Sequence, residues 1–392
     1  MHVQIQGARS AAPDTGVPLW AEWKPSEPYS IGIEEEVMLL DPADFSLAQS
    51  VGEILPALSP GLQARATSET HQAALELASA PHADAAGAAQ EVAELRAALA
   101  RELEAFGRRA ASAGTHPFAV WTETEVASGT RQRIVHDSMR ELARREPTFA
   151  LHVHVGVADP ERAIALQNAL RSHLPLMLAA SANSPFWQGR DSGLASARIP
   201  VFMAFPRVGI PRVFPSYAHW VQAVDVLLRS GAFPEPTFLW WDVRPQPRFG
   251  TVEIRIMDAQ TTPRETGLLA ALVQAVARLE LEEGFNSRTL IDAVEVLDEN
   301  RFLAARDGME AALIDPTADR RVPAVELLEQ LIRAARSHGQ DLGCEAALDE
   351  LAERGRDTGA HRQRAAVGAD GDLSGLVERL STQFVEDAPS TG

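Results

Sequence analysis

The sequence predicts an α+β protein in which a few β-strands carry paired charged residues and long helices supply the scaffold. Three observations lead there. "YSIGIEEEVMLLDP", residues 29 to 42, is β-branched and apolar around three consecutive glutamates. "ALHVHVGV", residues 150 to 157, alternates with the period of two that belongs to strands. The stretch 83 to 113 is rich in Ala, Leu, Glu and Arg with its apolar residues spaced near 3.6, the signature of an amphipathic helix.

The remaining elements follow in chain order. Residues 1–28 carry little periodic pattern and read as a poorly ordered lead-in, without the basic and then apolar regions of an export signal. A strand covers 29–40, and "ATSETHQAALELASA" at 66–80 fits either a strand or a helix. The 83–113 helix ends at "GTHP", a glycine followed by a proline, which makes His116 a turn residue or one that supports a site residue from behind. After the 150–157 strand, Asp159 and Pro160 open a helix that runs to about residue 180. Residues 183–216, dense in Pro, Gly and Arg with aromatics between, read as a long ordered loop. A short helix over 217–230 leads into two strands, "FLWWDVRP" and "GTVEIRIMD", joined by a Pro/Gly turn. The pattern is helical from 264 to 355, and 356–392 is polar and Gly-rich enough for a mobile tail. One domain over 29–355 is therefore expected, with no internal repeat.

Composition excludes several function classes. With 392 residues, 45% of them hydrophobic, the chain can bury a sizeable core, yet no run approaches the roughly 18 apolar residues of a membrane span. A formal net charge of -18 gives no basic footprint for nucleic acid or an anionic membrane, and a soluble, cytoplasmic protein is expected. The single cysteine, Cys344, rules out an internal disulfide and Cys-rich metal centres. Of 36 basic residues only Lys24 is a lysine, and it lies in a Pro-flanked stretch. A P-loop, a pyridoxal-phosphate Schiff base and a lysine-gripped ATP-grasp site are thus disfavoured, and any phosphate must be met by arginines and metal ions.

In a strand successive side chains face opposite ways, so Glu34 and Glu36 share one face while Glu35 takes the other. His152 and His154 share a face in the same way, as do Glu253 and Arg255. One such strand alone reads equally well as a solvent-washed face. Three together, flanked by Ile31, Ile33, Val153, Val155, Val252, Ile254 and Ile256, read as a buried polar cluster, which must be paired or metal-bound. Hard carboxylate oxygens suit Mg²⁺ or Mn²⁺. Glu69 and Glu76, seven residues apart, are further carboxylates near it in sequence. Arg255 beside Glu253 would set a fixed cation where a transferring phosphoryl group accumulates charge.

Six separated segments then carry a resemblance. "IGIEEEVMLLDP", "SETHQAALELASAP", "AAGTHPFAVW", "LHVHVGV", "SANSPFWQGRDSGLASAR" and "WWDVRPQPRFGTVEIRIMDAQ" resemble, in order and spacing over about residues 29 to 285, the bacterial carboxylate-amine ligases, or type 2 glutamate-cysteine ligases. The resemblance implies a glutamine synthetase-like fold, a curved antiparallel β-sheet funnel flanked by helices, so that 29–355 becomes a single catalytic domain. It implies ATP and two or three Mg²⁺ ions, with Mn²⁺ as a substitute. One metal would sit on Glu34 and Glu76 with Glu69, another on Glu36, His152 and Glu253. Arg255 would stabilise the transferred phosphoryl group, and His154, Arg190, Arg198, Arg207, Arg244 and Arg248 become candidates for substrate or ATP contacts. The implied reaction joins an amino acid carboxylate to an amine through an acyl phosphate, glutamate and cysteine being the family's pair. The partners are small molecules, and a homodimer is expected by analogy with the superfamily.

The sequence departs from the family at Leu194 and Ala197, where two tyrosines are usual, and at Val208, where threonine is usual. The region 128 to 153 also lacks a usual Arg-Tyr pair. These changes spare the metal ligands and bear on which acid and amine are joined. Three other readings remain distinguishable: a zinc hydrolase on His152 and His154, a nucleotide-binding homologue without turnover, and a guanidino kinase. ATP-independent hydrolysis, ATP binding without turnover, or a stable phosphorylated product would identify them in turn.

Overall fold

A seven-stranded antiparallel sheet organises the chain, seen in a computed structural model that describes residues 17–145, 147–286, 288–368 and 370–386. Its strands are β1 (Ile31–Leu40), β2 (Ala66–Ser68), β3 (Ala74–Ala78), β4 (Arg109–Ala111), β5 (Ala150–Gly156), β6 (Val243–Gln246) and β7 (Thr251–Asp258). They lie in the order β6-β7-β5-β1-β3-β2, with β4 added alongside β1 beyond β5. The α+β expectation of an antiparallel sheet flanked by helices holds. Residues 66–80, ambiguous in sequence, are the strands β2 and β3 around a turn.

Alternation decides what each face does. Ile31 and Ile33 of β1, Leu151, Val153 and Val155 of β5, and Val252 and Ile254 of β7 are all buried in one apolar cluster with the helices α1 (Ala85–Glu104), α3 (Pro160–Leu170) and α6 (Pro263–Glu282). Between these helices in sequence lies α2 (Thr130–Met139), and between α3 and α6 lie α4 (Leu174–Ser181) and α5 (Tyr217–Arg229). α6 is fixed at its start by a capping box: Thr262 accepts from the Glu265 amide and the Glu265 carboxylate accepts from the Thr262 amide. The opposite face of the sheet, with Glu34, Glu36, His152 and Glu253, is left to line a cleft.

Glu35 is the exception that the fold had to accommodate. It points into the helical side, wholly buried, and the fully buried Arg96 of α1 donates to it twice, at 2.8 and 2.7 Å, while the Thr266 hydroxyl also donates. The remaining guanidinium N–H groups of Arg96 go to the carbonyls of Gln260 (2.9 Å), Thr261 (2.9 Å) and Phe384 (3.3 Å). A buried charge is tolerable only when paired and hydrogen-bonded in this way.

Several segment boundaries differ from the sequence expectation. The 83–113 stretch is a helix only to Glu104 and then becomes β4, and the 160–180 helix breaks into α3 and α4 around Arg171 to His173. The helical stretch 264–355 contains a hairpin, Ala312–Asp315 with Arg320–Pro323. Of the expected lead-in, residues 1–16 lie outside the described residues. Ala21 within it is buried, its carbonyl accepting from the Tyr217 hydroxyl at 2.7 Å, and Trp23 donates to Val157 O at 3.2 Å. The stretch expected to be a mobile tail carries two helices, Gly359–Val367 and Leu373–Gln383, while residues 387–392 lie outside the described residues. Leu376, Val377, Leu380 and Phe384 are buried, because one apolar stripe on an otherwise polar helix is enough to dock it.

Candidate active site

The register of β1 with its neighbours builds the site. Glu36 lies directly opposite Glu76 on β3, Glu34 lies opposite His152 on β5, and His154 lies opposite Glu253 on β7. Directly opposed residues in antiparallel strands approach to about 5 Å, so carboxylates from three strands and an imidazole converge without help from any loop. Two groups of three result, Glu34 with His152 and Glu253, and Glu36 with Glu76 and His152, each with its ligand atoms within 4.8 Å of one another. The resemblance divides the ligands differently, placing Glu34 with Glu76 and Glu36 with Glu253; here the strand register joins Glu36 to Glu76. Glu69 lines the same cleft from the turn before β3, its carboxylate accepting from the Thr70 amide at 3.2 Å.

The cleft has a volume of about 410 Å³. Its floor is electrostatically unbalanced. Burial and then the charge of Glu69 push Glu36 up to about 8, although the Ala150 amide donates to it at 2.7 Å. Burial raises Glu69 as well, and burial together with Glu34, Glu69 and Glu36 carries Glu76 well above the usual carboxylate range. Glu34 and Glu253 are different. Burial would raise Glu34, but His154, 3.4 Å away, and hydrogen bonding with His152 outweigh it and hold the carboxyl low. Burial likewise opposes ionisation of Glu253, yet Arg244 at 2.7 Å and Arg255 in direct contact hold it well below the ordinary range. Gln246 adds a donor to Glu253 at 2.5 Å.

The two histidines diverge for the same reasons. Burial, then the charge of Arg255, lowers His152 to about 4, so its imidazole is neutral; its Nδ1 lies 3.4 Å from Glu34 and its buried Nε2 has no hydrogen-bond partner. A neutral imidazole with an unpartnered nitrogen aimed at carboxylates is a metal-ligand arrangement in its donor chemistry. Burial also opposes the charge of His154, but the Glu34 carboxylate wins and raises it; its Nδ1 meets the Thr251 hydroxyl at 2.9 Å. The residues present thus fit a divalent cation cluster, which would offset the repulsion among Glu36, Glu69 and Glu76.

The six candidate contact residues separate sharply. Arg248 lines the cleft beside the Phe249 ring. Arg244 lines it too, but donates to Glu253 and to the carbonyls of Thr237 (2.8 Å) and Leu239 (2.6 Å). Arg198, also lining the cleft and only 3% exposed, donates to the carbonyls of Ile256 (3.0 Å) and Arg255 (3.1 Å). Arg207 is outside the cleft lining, stacked between Phe233 and Trp240 with its Nε donating to Phe238 O at 3.0 Å. Arg190 is exposed on a two-residue strand away from the cleft, and His154 serves Glu34 from beneath. Sequence reasoning missed Arg131 and Gln132 of α2, both in the cleft lining; Arg131 pairs with Glu235 and donates to the Thr237 hydroxyl at 2.8 Å. Leu194, Ala197 and Val208, the departures from the family pattern, do not line the cleft.

Comparison with known proteins places this geometry. Residues 30–383 match Glutamate-cysteine ligase family 2. A Rubrobacter xylanophilus protein named "Putative glutamate--cysteine ligase 2-3" is 40% identical over 358 residues, 91% of this chain and 97% of that one. A Sorangium cellulosum protein named "Putative glutamate--cysteine ligase 2" is 37% identical over 360 residues, 91% of this chain and 96% of that one. Among solved structures, a glutamate-cysteine ligase from Francisella tularensis in complex with AMP superposes with a TM-score of 0.67 at 14% identity, covering 94% of this chain and 91% of its own. At that identity the likeness is one of fold.

Proposed function

Because the chain belongs to the glutamate-cysteine ligase family 2, whose members form amide bonds, we propose that it is an ATP-dependent carboxylate-amine ligase working through an acyl phosphate, with a γ-glutamyl amide as its product. The observation that carries the reading is the convergence of Glu34, Glu36, Glu76, His152, Glu253 and Arg255 on one cleft. Glu34, His152 and Glu253, and Glu36, Glu76 and His152, with Glu69 alongside, would hold Mg²⁺, or Mn²⁺ in its place, which would supply positive charge against that of the phosphates.

The chain's own groups do the rest. Arg255, tied to Glu253, presents a fixed guanidinium to the phosphoryl oxygens as charge moves onto them. An oxygen of the substrate carboxylate attacks the γ-phosphorus and ADP leaves. The amine nitrogen then attacks the acyl carbon, phosphate leaves and one proton is released. Arg248 and Arg131 line the cleft where anionic parts of ATP and the acid would be received, and forked guanidinium geometry suits both.

The test is release of phosphate and ADP from purified protein with Mg²⁺ and ATP, supplied with glutamate or other amino acids as acids, each with and without cysteine and a panel of other amines. Turnover is expected only with an acid and an amine together, with mass spectrometry showing their condensation product. ATP binding with no turnover across the panel would overturn the reading in favour of a non-catalytic homologue.

A further inference from the structure

We propose that Arg198 is a positioning residue that fixes a β-bulge in β7 and so aims Arg255 into the cleft, instead of gripping a substrate anion. The inference rests on the role assigned above to Arg255. Pairing of β7 with β5 runs from Ile254 opposite Val153 to Met257 opposite Leu151, three steps on one strand against two on the other. The extra residue falls at Arg255 and Ile256. A bulge leaves backbone groups without ladder partners, and buried ones must be satisfied elsewhere.

The structure satisfies the two carbonyls of the bulge with one side chain. The Arg255 amide donates to Asp242 O at 2.8 Å, while the Arg255 and Ile256 carbonyls accept from Nη2 and Nη1 of Arg198. Arg198 is itself held. Its amide donates to the Ser184 hydroxyl at 3.2 Å, and its guanidinium lies 3.7 Å from the wholly buried Asp258 carboxylate at the end of β7. Asp258 in turn accepts from the Asn183 amide (2.9 Å), the Ser184 hydroxyl (2.7 Å) and the Ser196 hydroxyl (2.9 Å). The loop carrying "SANSPFWQGRDSGLASAR" is therefore a clamp on the strand that bears Glu253 and Arg255. With one N–H of each terminal nitrogen bound to a strand carbonyl and the residue only 3% exposed, this guanidinium is anchored to β7 and not turned as a free fork toward a ligand.

A displacement of about 1 Å in a group that must meet a transition state costs on the order of 100-fold in rate. Arg198→Gln is therefore expected to lower kcat by about that factor while the KM values for ATP and the acid change less than about twofold. Arg198→Lys, which keeps one donor nitrogen and the charge, should recover part of the loss and serves if Arg198→Gln folds poorly. The double variant Arg198→Gln with Arg255→Gln should be no slower than Arg255→Gln alone, because both act through one side chain. A rise of tenfold or more in KM for the acid with kcat intact would overturn the proposal and make Arg198 a substrate ligand. Backbone hydrogen exchange across 251–258 supplies a readout independent of turnover: Arg198→Gln should accelerate it and Arg255→Gln should not. Unchanged exchange in Arg198→Gln overturns the positioning role, whereas full activity in Arg255→Gln would instead overturn the catalytic reading of Arg255.

Discussion

Replacing Arg96 with methionine removes the only cation paired with Glu35 among the described residues, and its cost can be worked from the contacts. Both side chains are fully buried, joined by two charge-assisted hydrogen bonds, and Arg96 also serves three backbone carbonyls. Breaking a buried pair from one side costs roughly 3–5 kcal/mol, because the remaining charge is stranded. The Thr266 hydroxyl stays as a donor to Glu35, so the lower half of that range, about 3–4 kcal/mol, is expected. The assay is urea unfolding followed by circular dichroism, where the midpoint should fall by on the order of 1 M. In the double variant Glu35→Gln with Arg96→Met most of the loss should return, since no charge is left unpaired. A loss below about 1 kcal/mol in Arg96→Met, or a double variant no more stable than the single one, would refute the view that the middle glutamate is there as half of a structural pair.

Glu36→Gln should raise the melting temperature of the metal-free protein slightly, by relieving repulsion with Glu69 and Glu76, and should weaken Mn²⁺ binding by tenfold or more in titration calorimetry. A variant that binds Mn²⁺ normally would remove Glu36 from the ligands. Arg255→Lys is expected to lose on the order of 100-fold in kcat, since a point ammonium cannot replace a planar fork, and near-normal rates would leave Arg255 a structural role. The fourth prediction concerns pH. Burial holds His116 down to about 4 from an ordinary 6.5; its Nε2 donates to Phe45 O at 2.9 Å and its Nδ1 accepts from the Ala119 amide at 3.0 Å, so only the neutral ring fits. A histidine whose folded value is depressed contributes nothing above pH 6.5 and destabilises progressively as pH falls from 6.5 to about 4, by about 3 kcal/mol in all. His116→Gln should flatten the dependence of unfolding free energy on pH in that window by about one proton, and an unaltered slope would sink the assignment.

Much of the site was legible because strand geometry is local. Alternation alone puts Glu34 and Glu36, His152 and His154, and Glu253 and Arg255 each on one face, and sends Glu35 to the other. The arginines were not legible in the same way. Arg198, Arg207 and Arg244 sit among aromatics and glycines as anion-binding residues would, yet all three donate to backbone carbonyls: Arg198 to Ile256 on a strand 58 positions on, Arg207 to Phe238 31 positions on, and Arg244 to Leu239 in the segment before its own strand. The packed helices near the C-terminus escaped notice for a related reason: their composition is polar, and the few apolar residues that dock them count only once a groove exists to receive them.

The sequence by itself determined the class of fold, the charged faces of three strands and, through six spaced motifs, the family. Only the tertiary structure decided that Glu36 is matched with Glu76, that Glu35 answers Arg96 from 61 positions away, and that the Arg255 bulge is capped by Arg198. The physical reason is range. Side-chain direction along a strand is fixed by each residue's own backbone, whereas register, bulges and buried ion pairs are settled by which distant segments close on one another.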